Sequence, residues 1–193
     1  MTSINRKFEA YLDEMDIIAI IIPRSLYEET NGVFTLHQDN KKWDLEIINC
    51  EEFDHFKKYS CKVHAFIEIG EPYIVKNQQG IETDLQIGAV IRTTEFDEAF
   101  SYMGEDLGVS YQTTSSVFKV WAPTATAVNL LLIYPKIKHK EQHQMIRDHN
   151  GVWTLKIQGD LEGVYYKYDV CVNLIWRDAV DPYVNAEIGR AHV

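Results

Sequence analysis

Gly151-Val152-Trp153-Thr154-Leu155-Lys156-Ile157-Gln158-Gly159 alternates without a break: Trp153, Leu155 and Ile157 fall on one side of an extended backbone, Thr154, Lys156 and Gln158 on the other. That period of two belongs to a β-strand buried on one face, because successive side chains of a strand point to opposite faces. Asn150-Gly151 marks a turn at its start. A slip of one residue would turn the whole apolar set to solvent, so the sequence fixes the register tightly.

The same reading extends outward. Val164, Tyr166, Tyr168 and Val170 share one face of the next alternating run, and Val128-Asn129-Leu130-Leu131-Leu132-Ile133-Tyr134 is apolar on both faces, as a central strand of a sandwich is. Near the N-terminus Phe8, Ala10 and Leu12 alternate with charged or aromatic residues. Asp13-Glu14-Met15-Asp16 interrupts them, and an apolar run over 17–22 then ends at Pro23. Phe8, Leu12 and Met15 also fit helical spacing, but the β-branched enrichment and the closing proline favour two strands joined by a tight turn. Further strands are expected at 33–36, 43–47 and 61–67. Short strands at regular spacing predict an all-β fold of two immunoglobulin-like β-sandwich domains in tandem. The first is expected over 1–80 and the second over 108–186. Residues 81–107, punctuated by Gly88 and Gly104 with Phe96, Phe100 and Tyr102 set among acids, read as the linker region.

At 193 residues and 46% hydrophobic content the chain can bury two small cores. Its 29 acidic against 19 basic residues give a net charge of −10, a field that repels nucleic acid and anionic membranes and leaves a neutral polysaccharide indifferent. Cys50, Cys61 and Cys171 are an odd set without a Cys-x-x-Cys pair, which disfavours a disulfide framework and a zinc site. The run over 17–22 is too short for a signal sequence, so a cytoplasmic location is expected.

Val117-Phe118-Lys119-Val120-Trp121-Ala122-Pro123-Thr124-Ala125, then Val128-Asn129-Leu130, resembles the opening of the family 48 carbohydrate-binding module, the isoamylase N-terminal β-sandwich. Gly151-Val152-Trp153 and the run from Gly159 to Tyr168 look like its later strands in the expected order, and Asp181-Pro182-Tyr183 matches the exit toward the catalytic barrel of the α-amylase superfamily. The run from Thr83 to Thr93, with Phe96-Asp97 and Gly104-Glu105-Asp106-Leu107-Gly108, is similar to the segment before that module in Bacillus-type type I pullulanases of glycoside hydrolase family 13. Residues 8–23 resemble their N-terminal domain.

The resemblance implies a non-catalytic N-terminal portion of a starch-debranching enzyme, one that supports the barrel and orients α-glucan such as pullulan, amylopectin or glycogen. A stand-alone glucan- or glycogen-binding module is the competing expectation. Nothing supplies the pair of carboxyl groups that a retaining glycosidase holds about 5–5.5 Å apart on a (β/α)8 barrel of roughly 250 residues. The barrel is expected to be absent, no catalytic residue is assigned and no cofactor is implied. Glu187-Ile188-Gly189-Arg190-Ala191-His192-Val193 departs from the family, and one choice of codons for it spells a common sequencing-library adapter. Residues 187–193 are therefore expected to be a non-native tail.

β-Sandwich modules bind sugars with exposed aromatic rings flanked by hydrogen-bonding groups. Trp121 and Trp153 sit in the strand motifs and are expected in the core. Trp176, in Asn173-Leu174-Ile175-Trp176-Arg177-Asp178, is the better ligand candidate. In glycogen-binding relatives a tryptophan before the Asp-Pro exit and a lysine on the preceding strand contact glucan, and Trp176 and Lys167 match those positions. A further tryptophan of those relatives has no counterpart in Tyr134-Pro135-Lys136-Ile137-Lys138. Trp43 and Tyr73 are the candidates for a site in the first domain. His139, His143 and His149 stand among Lys136, Lys138 and Lys140, so a solvated loop is expected there and no metal site. The acids Glu51, Glu52 and Asp54, and Asp13, Glu14 and Asp16, read as turn residues and not as catalytic pairs.

Overall fold

The structure, a computed structural model, describes residues 5–27 and 32–181. The chain divides into two compact units, Met1–Ala99 and Phe100–Val193.

In the first unit the strands are β1 (Glu9–Glu14), β2 (Ile17–Pro23), β3 (Phe34–Gln38), β4 (Lys41–Glu52), β5 (Phe56–Val63), β6 (Ile74–Asn77) and β7 (Glu82–Ile87). The N-terminal pair forms the antiparallel hairpin that its alternation predicts, with Ala10 opposite Ile20. The seven strands make one sheet in the order β1-β2-β5-β4-β3-β6-β7, which closes where β1 runs parallel to β7, Ala10 facing Leu85. Closure leaves no open edge for another chain to pair with. Ala10, Leu12, Ile18, Ile20, Phe34 and Leu36 are buried in its core.

Two differences from the sequence reading have physical causes. β4 runs past the stretch expected at 43–47, and β5 lies at Phe56–Val63 where 61–67 was expected, leaving 64–67 outside the strand. The distal half of the hairpin sets Glu51 and Glu52 opposite Lys58 and Lys57, so charge and no apolar period marks it. Three of the six acids read as turn residues pair with lysines of β5: Glu52 with Lys57 at 3.2 Å, Asp13 with Lys58 at 3.8 Å and Asp16 with Lys62 at 3.1 Å. The segment expected to link the domains begins with β7, which pairs with both β6 and β1 and so completes the first unit. Its buried residues, Thr83, Asp84 and Gln86, are polar and lie on both faces of the strand, so the sequence reads there as a linker and not as a half-buried strand. Arg6 makes the buried Asp84 tolerable by donating from Nε at 2.7 Å and Nη2 at 2.9 Å. A 3-10 turn over Ala89–Arg92 and the short helix α1 (Thr94–Phe100) follow.

The second unit contains β8 (Gly108–Gln112), β9 (Ser115–Trp121), β10 (Ala127–Tyr134), β11 (His139–Gln144), β12 (Ile146–Arg147), β13 (Val152–Gln158), β14 (Tyr165–Val172) and β15 (Ile175–Ala179). They form two four-stranded antiparallel sheets, β11-β10-β14-β15 and β12-β13-β9-β8. Phe118, Leu130, Leu132, Trp153, Tyr166 and Tyr168 fill the core between them, as the sandwich reading requires. Among the described residues there is no alternation of strands with long helices of the kind a (β/α)8 barrel needs.

Trp153 is in this core, 5% exposed, with its Nε1 donating to the Ala122 carbonyl at 3.0 Å. Trp121 corrects the expectation. Phe118 and Val120 take the inward places on β9, so Trp121 at the strand's end faces outward and is 39% exposed. Its Nε1 lies 2.9 Å from the Phe100 carbonyl and 3.0 Å from that of Asn150.

Asp181, the first residue of the expected exit motif, is buried, with its Oδ2 accepting from the Tyr166 hydroxyl at 2.6 Å and the Tyr168 hydroxyl at 3.4 Å. Pro182, Tyr183 and the tail over 187–193 lie outside the described residues.

Candidate functional site

On β10 the residues Val128, Leu130 and Leu132 are fully buried, which sends Asn129, Leu131 and Ile133 to the outer face of the sheet β11-β10-β14-β15. Directly opposed residues of neighbouring strands share a face. Leu131 is opposite Lys167, Asn129 is opposite Asp169, and Asp169 in turn is opposite Asp178, while Cys171 is opposite Trp176. Both sequence-predicted site residues therefore stand on one outer face, and Trp176 is half-buried there rather than folded into the core.

The two are not in contact. Four residues separate Lys167 from the level of Trp176, about 13 Å along a strand, and the Asp169–Asp178 rung lies between. The Lys167 ammonium donates to the Asp178 carboxylate, so its charge is already satisfied. Hydrogen bonds from Lys167 and then from Asp169 hold Asp178 below the usual carboxylate range. Burial, followed by the neighbouring Asp178, pushes Asp169 up, so Asp169 is the member of the pair that keeps a proton more readily. Neither carboxylate is signalled by the family resemblance; the register of β14 against β15 reveals them.

The remaining candidates separate cleanly. In the turn after β10, where the relatives' further tryptophan has no counterpart, Ile137 is exposed. His139 and His143 lie on the edge strand β11, correcting the loop expectation, and bracket Glu141 at 3.3 and 3.2 Å from their Nε2 atoms. Among the described residues no group of histidine, cysteine and carboxylate side chains is arranged to hold a metal ion. In the first unit the Trp43 and Tyr73 rings are tilted neighbours, 6.4 Å apart, but Tyr73 is buried with its hydroxyl accepting from the Glu68 amide at 3.0 Å. Its ring has no free face for a ligand.

Residues 8–92 match the Pullulanase N1-terminal domain family, and residues 106–184 match Carbohydrate-binding module 48, the isoamylase N-terminal domain. The chain consists of a pullulanase N1-terminal domain followed by a family 48 module. It is 39% identical to a pullulanase of Bacillus subtilis over 186 residues, 96% of this chain and 26% of that protein. The crystal structure of a pullulanase from Anoxybacillus sp. LM18-11 complexed with maltotriose superposes with a TM-score of 0.89 at 42% identity, covering 93% of this chain and 26% of that one. The type I pullulanase of Bacillus subtilis complexed with maltose gives 0.89 at 39% identity, covering 94% and 25%. The chain thus spans about a quarter of the length of these relatives, and the part it spans is the non-catalytic N1 and family 48 region of a type I pullulanase. The outer face of β11-β10-β14-β15 belongs to the family 48 module.

Proposed function

We propose that the family 48 module of this chain holds α-glucan against the outer face of β11-β10-β14-β15, with Trp176 as the stacking ring and Lys167 as a hydrogen-bond donor. The polypeptide it serves hydrolyses α-1,6-glucosidic branch points in starch, pullulan or glycogen, in the cytoplasm. The catalytic barrel of that polypeptide is its other partner, and this region orients polymer without cleaving it. The observation that carries the reading is the placement of Trp176, half-buried at the sheet edge on the same face as Lys167. An indole so placed offers one ring face to the apolar face of a glucose ring. Lys167 is held in position by Asp178, and a sugar hydroxyl can join that ion pair without an unpaired charge being created. The relatives solved with maltotriose and maltose support glucan as the ligand class.

Electrophoresis of the purified chain through gels containing amylopectin tests this. Wild-type protein is expected to be retarded, Trp176→Ala to lose most of the retardation, and Trp43→Ala to keep it. Loss with Trp43→Ala and none with Trp176→Ala would move the site to the first unit and end this reading.

A further inference from the structure

The outer face of the module sheet continues past Trp176 and Lys167 to the far edge strand. Asn129 on β10 is opposite Gln144 on β11, Leu131 is opposite Gln142 and Ile133 is opposite Lys140. Gln142 and Gln144 are exposed, and their amides make no side-chain hydrogen bond among the described residues. One rung, Asp178-Asp169-Asn129-Gln144, crosses all four strands, and three strand spacings make it about 14 Å wide.

The charge on this face is unlike that of the chain. Lys140 and Lys167 balance Asp169 and Asp178, so the face sums to zero on a molecule of net charge −10. Beside the charges lie an apolar strip, Leu131 and Ile133, and three neutral amides, Asn129, Gln142 and Gln144. Such a surface complements a neutral ligand whose own surface alternates C–H patches with hydroxyls. Each amide both donates and accepts, as each sugar hydroxyl does.

We infer that the amides of Asn129, Gln142 and Gln144 form a second subsite for the same α-glucan chain, so that the module grips an oligosaccharide across the whole sheet. This rests on the reading of Trp176 given above and extends it from one stacking point to a platform. Ligand length then controls affinity: maltose reaches only the Trp176 side, whereas maltohexaose reaches the amides as well.

Titration of the full chain with maltose and with maltohexaose, followed by NMR shifts of the backbone amides, tests it. Wild-type protein is expected to bind maltohexaose more tightly, with shifts on β11 that maltose does not produce. The exposed double substitution Gln142→Ala/Gln144→Ala is expected to weaken maltohexaose binding roughly five- to tenfold and to leave maltose binding unchanged. Wild-type affinity for maltohexaose in the double variant overturns the second subsite, while loss of binding in Trp176→Ala keeps the first. If Trp176→Ala binds as wild type does, or wild-type protein binds neither sugar, the underlying reading fails and the subsite with it. Association of the chain through this face, seen as a dimer in sedimentation with no glucan-induced shift on β11, would assign the platform to a second copy and also overturn the inference.

Discussion

Two turns of the module each carry a pair of left-handed residues, filled by different side chains. Asn150 and Gly151 both have positive φ, 54° and 73°, the conformation that favours a glycine. A Cβ on Gly151 would meet the Pro123 Cα at 2.4 Å. Gly151→Ala therefore combines a left-handed alanine with a backbone clash, and we expect it to destabilise the module by at least about 2 kcal/mol, read as a lowered urea midpoint. Asn173 and Leu174 also have positive φ, 53° and 61°, but here a leucine occupies the second place. Leu174 is 42% exposed and loses little packing if removed. Leu174→Gly is expected to raise stability by about 1 kcal/mol; a fall would show that the leucine side chain is needed at the tip. The Asn-Gly pair was legible in the sequence because glycine names its own conformation. The Asn-Leu pair was not, because nothing in leucine foretells a left-handed residue, and the strand β15 beyond it went unread in consequence.

At the scale of elements, what was legible follows burial. The strands β13 and β14 bury one side against the core, and their alternation marked both their position and their faces. In contrast, β10 showed as a run apolar on both faces, and only its pairing separates Val128, Leu130 and Leu132 from the outer Asn129, Leu131 and Ile133. The edge strand β11 carries His139-Lys140-Glu141-Gln142-His143-Gln144, polar on both sides, so no period marked it as a strand. Its register against β10 is nonetheless what brings Gln142 and Gln144 beside the Trp176 face. Trp176 and Lys167 were legible from the family resemblance, whereas the carboxylate pair between them needed the pairing of β14 with β15. The inner face of β14 yields a pH prediction. Burial, then Asp181, pushes the Tyr166 and Tyr168 hydroxyls far above the usual tyrosine range. In the unfolded chain a tyrosine ionises near pH 10. Above that pH the unfolded state gives up protons that the folded state keeps, so stability falls by about 1.4 kcal/mol per pH unit for each buried tyrosine. Urea unfolding between about pH 9 and pH 11 is expected to show this decline, shallower in Tyr168→Phe than in wild type. Equal slopes would mean that Tyr168 ionises freely in the folded state.

For the whole molecule, the chain couples a sealed seven-stranded barrel to an open sandwich. Closure leaves the first unit no sheet edge to offer, whereas the module keeps edge strands and an outer face with mixed polar and apolar character. The proposed recognition of a neutral polymer falls to the second, where the local charge cancels. Cleavage of an α-1,6 bond needs two carboxyl groups flanking the scissile bond, whereas Asp169 and Asp178 are engaged with one another, and Asp178 with Lys167, on the outer face of the module sheet. The most direct measurement mixes the purified chain with insoluble starch, sediments it, and assays both the pellet for protein and the supernatant for new reducing ends. Protein in the pellet with reducing ends at the blank level is the predicted result; a soluble chain, or reducing ends that rise with time, would contradict it.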